Sequence, residues 1–101
     1  MFTAPLKKEL TKELVSCLSS DKEIQRIVIF GSFLKSENPH DMDVAIFQSS
    51  NKSYLQLALK YRKQIRPVLL KIAVDIIPVR PHVQNDFFLS EINRGEIVYE
   101  R

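Results

Sequence analysis

Three short runs of mostly β-branched apolar residues constrain this fold more than any other feature. Ile27 to Phe30, Val44 to Phe47 and the stretch KIAVDII over residues 71–77 are each too short for a buried helix. Continuous apolar character, in place of strict alternation, marks strands covered on both faces. Between and around them the pattern changes to a helical one. Leu6, Leu10, Leu14 and Leu18, widened by Val15, form a stripe that predicts a helix over 4–19. Thr3 ahead of Pro5 suits its start, because proline near the first helical position loses no needed hydrogen bond. Lys7, Lys8, Lys12 and Glu13 lie off the stripe, on a solvated face.

After a polar loop at 48–51, a second helix is expected over about 52–65, with Tyr54, Ala58, Tyr61 and Ile65 inward and Pro67 closing it. Lys60, Arg62, Lys63 and Arg66 make it basic, either as a solvated face or as a surface for an anion or a partner. Pro78 is expected to end the third strand. A last helix over about 86–94 follows, with Asn85 as N-cap, Phe88, Leu89 and Ile92 inward, and Gly95 just past its end. EIVYE then reads as a fourth strand. The order α-β-β-α-β-α-β implies a fold of the α/β (α+β) type, one mixed sheet with helices packed on it.

The 101 residues point to a single domain over 1–101 with one core. At 45% hydrophobic and 27% charged, the composition is that of an ordinary globular chain, which argues against disorder. No apolar run reaches the ~18 residues that span a bilayer, and the N-terminus has no apolar block of a secretion signal. The lone Cys17, expected to be buried in the first helix, cannot form an internal disulfide. Together these favour a reducing, cytoplasmic setting. The net charge of +3 is milder than that of a dedicated nucleic-acid binder. It suits an anionic ligand or an acidic partner as well as a nucleic acid, and it leaves a second copy of the chain open as a partner.

The chemistry-bearing residues sit against the apolar runs. The first run ends in Gly31-Ser32, and eight residues separate that pair from Asp41 and Asp43. Strand alternation puts both carboxylates on one face, where their repulsion is relieved by a proton or a cation. Hard oxygen donors of this kind suit Mg²⁺. Asp75, inside an apolar strand expected to be covered, needs a partner. A salt bridge, backbone hydrogen bonds or a metal shared with Asp41 and Asp43 would each serve, and the neighbouring Asp-x-Asp favours the metal. A glycine after a strand lets backbone N–H groups approach a phosphate, a turn of helix adds its positive end, and Ser32 Oγ can donate one more hydrogen bond. Lys35 is placed to meet a triphosphate tail. His40 and His82 read as loop histidines without a role.

The layout FGSFLKS…DMDVAIF…VDIIPV resembles the minimal nucleotidyltransferases of the DNA polymerase beta-like superfamily. Gly31 and Ser32 match the hallmark pair, Asp41 and Asp43 the metal-binding pair, and Asp75 the third carboxylate. FLSEINRGEIVYER looks like the last helix and strand, so the resemblance covers about residues 5–100. It implies an enzyme that binds Mg²⁺, two ions, and an NTP, with ATP the expected substrate. Gly31 and Ser32, with Lys35, would hold the phosphates, and Asp41, Asp43 and Asp75 the metals. Asp75 would also take or orient the proton of the attacking hydroxyl. Members of this size resemble the nucleotidyltransferase (MNT) halves of bacterial two-gene modules. Their partner is a helical HEPN-type protein, and some act as antitoxins by adding AMP to that toxin. Two other functions fit the same fold: a non-catalytic antitoxin that neutralises its partner by contact, and an NTP-binding sensor. The chain departs from the family pattern in three places. Ser36 stands where a second glycine is common, the Gly-Ser to Asp-x-Asp loop is short, and His40 replaces a small residue before the first aspartate.

Overall fold

The apolar runs lie side by side in one sheet. The structure, a computed structural model, describes residues 2–80 and 86–101, with backbone only at 86–88. His82, Asn85 and the side chain of Phe88 fall outside what is described. The elements are α1 (Ala4–Leu18), β1 (Ile24–Phe30), α2 (Ser32–Lys35), β2 (Asp41–Gln48), α3 (Tyr54–Gln64), α4 (Arg66–Leu69), β3 (Ala73–Val79), α5 (Asp86–Asn93) and β4 (Glu96–Glu100). The sheet order is β3-β2-β1-β4. β1 pairs antiparallel with β2 and β4, and β2 pairs parallel with β3. A parallel pair needs a long crossover, which α3 and α4 supply.

Strand alternation divides the core into two layers. Ile27, Ile29, Val44, Ile46, Val74 and Ile76 face a cluster completed by Leu10, Leu14 and Leu18 of α1 and by Leu57, Tyr61 and Val68 of α3 and α4. On the opposite face Val28, Phe30, Ala45 and Val79 meet Ile92 of α5. That second face is only partly covered, and the candidate carboxylates lie on it.

Local chemistry explains most element ends. Thr3 Oγ1 accepts the Leu6 N–H at 3.2 Å and caps α1. Ser53 and Gln56 form a reciprocal capping box at α3, with bonds of 3.2 and 3.0 Å. Ser53→Ala should therefore cost about 1 kcal/mol, lowering the Tm in a thermal melt by roughly 4–8 °C.

Several expectations are corrected. Tyr54 is 58% exposed; the inward stripe of α3 runs through Leu57, Tyr61 and Ile65, with Ala58 half-buried. Leu57 takes the place expected for Tyr54 and Ala58 because side chains four apart share a face. Pro67 does not merely close a helix. α3 ends at Gln64, and Pro67 sits in the first turn of α4, where its missing N–H costs nothing. Pro78 lies within β3, paired with Ile46; β3 is an edge strand, which needs no donor on its outer side. Cys17 is half-buried, and burial together with the charge of Glu13 pushes its thiol up, away from reactivity.

Gly95 is needed for space, and its φ is not positive. A Cβ there would meet the Ile29 carbonyl oxygen at 2.5 Å and Phe30 Cβ at 2.8 Å. It is the point where β4 comes in against β1.

Candidate functional site

The site forms where β1 ends and β2 and β3 begin. Asp41 and Asp43 lie inside β2, which starts three residues before its apolar run because the parallel ladder with β3 extends to Asp41. Met42 and Val44, between and after them, are fully buried on the other face. Asp43 pairs with Asp75 across the ladder and with Phe30 on its other side. Register alone thus brings the third carboxylate beside the second, since neighbouring strands are about 4.8 Å apart. One carboxylate oxygen from each of Asp41, Asp43 and Asp75 lies within 4.8 Å of the others.

Asp75 does not have the surroundings expected for it. It is exposed, because β3 is an edge strand whose residues alternate between buried and exposed from Ala73 to Ile76. It therefore needs no compensating partner for burial, and its place in the cluster rests on register.

Gly31 has φ +78° and ψ −151°, a backbone region essentially confined to glycine. A Cβ on it would lie 2.4 Å from Asp43 Oδ2. Glycine is thus required twice, by the turn and by the carboxylate it lies against. The turn leads into α2, whose Phe33 is buried and anchors it. Ser32 Oγ lies 3.5 Å from Asp41 Oδ1, the outer limit of a hydrogen bond. Lys35 ends this helix in an exposed position, and His40 is exposed in the loop beyond.

Contacts from far along the chain hold this loop, and no local sequence signal announces them. Lys7 Nζ donates to the Ser36 carbonyl at 2.5 Å and lies over the Phe33 ring. The Phe2 N–H donates to the Glu37 carbonyl at 3.2 Å. At Ser36, then, a lysine from α1 ties down the short loop.

Burial, the charges of Asp41 and Asp75, and a hydrogen bond that protonated Asp43 donates to Asp75 all hold the Asp43 carboxyl above its ordinary value. A raised carboxyl binds its proton more tightly in the folded than in the unfolded chain. Its penalty is absent at low pH, sets in as pH rises through about 4, and is complete above the raised value. The metal-free Asp43→Asn variant is thus expected to melt above the wild type at neutral pH, with the gap closing as pH falls into the carboxylate range. A gap independent of pH would contradict this.

Three converging carboxylates, one held above its ordinary value by burial and by like charge, fit a hard divalent cation that would relieve the repulsion. The fold and site define a class: an open mixed sheet with an acidic cluster at strand ends, beside a glycine turn suited to phosphate. The chain belongs to the polymerase beta nucleotidyltransferase family, whose model matches residues 12–101. Among solved structures, a complex of a tri-AMPylated Shewanella oneidensis HEPN toxin with its MNT antitoxin is similar. It has a TM-score of 0.63 and 16% identity, over 94% of this chain and 73% of that one. A toxin–antitoxin complex with AMP-PNP gives 0.64 at 16% identity, over 90% and 73%. The MntA–HepT toxin–antitoxin complex gives 0.61 at 15% identity, over 93% and 73%. At such identities the likeness is one of fold. No curated protein matches the chain in sequence. Among the described residues, no helix is long and apolar enough to cross a membrane.

Proposed function

We propose that this chain, acting as one domain in the cytoplasm, transfers AMP from ATP to a hydroxyl of a partner protein. In this reading the partner is the HEPN-type toxin of a two-gene pair, and this chain is its antitoxin. The observation that carries the reading is the convergence of Asp41, Asp43 and Asp75 beside a turn that only glycine can form. Similarity of fold to MNT antitoxins in complex with HEPN toxins supports the choice of partner. A similar complex containing AMP-PNP supports the choice of nucleotide.

Asp41, Asp43 and Asp75 would hold Mg²⁺, two ions, which when bound activate the attacking oxygen and stabilise the leaving pyrophosphate. Gly31 allows the turn backbone to approach the β- and γ-phosphates, Ser32 Oγ donates to a phosphate oxygen, and Lys35 adds positive charge one turn on. Asp75 is the most exposed of the three carboxylates. An incoming hydroxyl can reach it from solvent, so it is the group that orients the hydroxyl and accepts its proton. The hydroxyl oxygen bonds to the α-phosphorus, the α–β phosphoanhydride bond breaks, and pyrophosphate leaves.

The test is incubation with α-labelled ATP, Mg²⁺ and a candidate HEPN-type partner. Label on that protein, dependent on Mg²⁺ and on all three aspartates, is the expected outcome. An unlabelled partner that is nevertheless silenced would replace the transferase reading with neutralisation by contact. In thermal melts, Mg²⁺ should raise the wild-type Tm, with a stabilisation that grows as the logarithm of one plus the ratio of Mg²⁺ concentration to Kd, and leave Asp43→Asn unmoved.

A further inference from the structure

We propose that the outer face of α3 and α4 is the docking surface for the acceptor protein, and that it takes an amphipathic acidic helix with leucine-type residues along its centre. The proposal rests on the preceding reading that the acceptor is a protein. The face carries apolar residues that the core does not use. Leu55 and Leu59, one turn apart on α3, are 67% and 56% exposed, and Leu70 just after α4 is 89% exposed. Leu59, Arg62, Lys63, Arg66 and Leu69 line a shallow depression of about 340 Å³. An apolar floor with a charged rim is the make-up of a protein interface.

The charge of the rim selects the partner. From Val44 to Val74 the chain has Lys52, Lys60, Arg62, Lys63, Arg66 and Lys71 and no Asp or Glu. Lys60 is engaged by Asp21 at 2.8 Å and Lys71 by Glu13 at 2.8 Å. Lys63 and Arg66, both exposed, therefore face whatever docks with nothing acidic on their own helices to offset them. A second copy docking through its own α3–α4 face would bring the same sign of charge and be repelled. RNA is disfavoured because the depression has leucines where base stacking needs aromatic rings. A membrane is disfavoured because the main apolar stripe of α3 faces the core, leaving only a narrow ridge outside.

The position relative to the site gives the surface its purpose. Arg62 Nη1 donates to the Val74 carbonyl at 3.4 Å, and Asp75 is the next residue. Arg62 thus joins the depression to the free edge of the strand that carries the exposed carboxylate. A partner seated there lies along the β3 edge, and a hydroxyl on it can reach Asp75 around that edge. Arg62 covers part of the edge backbone and Pro78 removes one donor from β3, so the partner docks through side chains and not as an added strand.

The test uses a synthetic helix with leucines on one face flanked by glutamates, titrated into the isotope-labelled full chain. Amide shifts should map to Leu55, Leu59, Lys63, Arg66 and Leu69, and binding should weaken as salt rises. Leu59→Glu and the pair Lys63→Glu/Arg66→Glu should each weaken it at least about tenfold. All three positions are exposed, and unchanged melting would show that both variants fold. Shifts elsewhere or none, equal binding of a lysine-flanked version, or RNA or phosphatidylserine vesicles bound on this face in place of the peptide would overturn the proposal. Asp43→Asn should bind the peptide normally. Absence of transfer by the wild type while the peptide still binds would count against the catalytic reading alone, and transfer retained in Leu59→Glu would count against the surface alone.

Discussion

Replacing Asp43 by asparagine should lower nucleotide transfer by about three orders of magnitude or more while raising the Tm of the metal-free protein by a few degrees. The two effects have one cause. Asp43 is the middle member of the cluster, flanked by Asp41 two residues away and by Asp75 across the ladder. Asparagine keeps its shape and removes the charge that its neighbours oppose. Removing that charge relieves the folded protein when no cation is bound, and it deletes a metal ligand when one is. Misfolding cannot produce this pair of outcomes, because a misfolded variant does not melt later. Labelled transfer and calorimetry on the same preparation decide the matter. Full activity would remove Asp43 from the mechanism, and a lower Tm would remove the repulsion.

Gly31→Ala should be strongly damaging for the addition of a single methyl group. Alanine at φ +78°, ψ −151° costs about 1–3 kcal/mol through the backbone alone. Its methyl carbon would also lie 2.4 Å from Asp43 Oδ2. One of the two must move, and the strand backbone around Asp43 is fixed by pairing on both sides. A total of about 2–4 kcal/mol corresponds to a fall in Tm of roughly 10–25 °C for a domain of this size. ATP binding should be lost with it, because the turn and the carboxylate are displaced together. Adding Asp43→Ala removes the clash and leaves the backbone strain, so the double variant should regain only part of the lost stability. Full recovery would mean that the conformation of Gly31 costs nothing. No recovery would mean that the contact does not matter.

Much of the site was legible in the sequence because it is written locally. Gly31-Ser32 follows an apolar run, and the one-residue spacing of Asp41 and Asp43 places both on one face of any strand. Asp75 was legible as an anomaly, a carboxylate amid β-branched residues, but the reason given for it was mistaken. It is exposed at an edge, and only the strand order could have shown that. In the sequence Pro67 and Pro78 both look like breaks, for the same reason. A proline's effect depends on whether its N–H is needed, and that is a property of the neighbouring strand or turn. On α3 the sequence places Tyr61 and Ile65 inward as the structure does, whereas packing on the sheet takes Leu57 in place of Tyr54 and Ala58.

By itself the sequence determined the four strands and the three longer helices, though not the short α2 and α4, and it determined the glycine turn and the alternation that aims two carboxylates one way, because each depends on residues within a few positions of one another. The parallel register that sets Asp75 against Asp43, the edge that leaves Asp75 open, the reach of Lys7 to Ser36 and the exposure of Leu55 and Leu59 were decided only by the tertiary structure. These are relations between segments tens of residues apart. They exist only once the loops have closed and one face of each element has been chosen for burial, a choice made by the whole core at once.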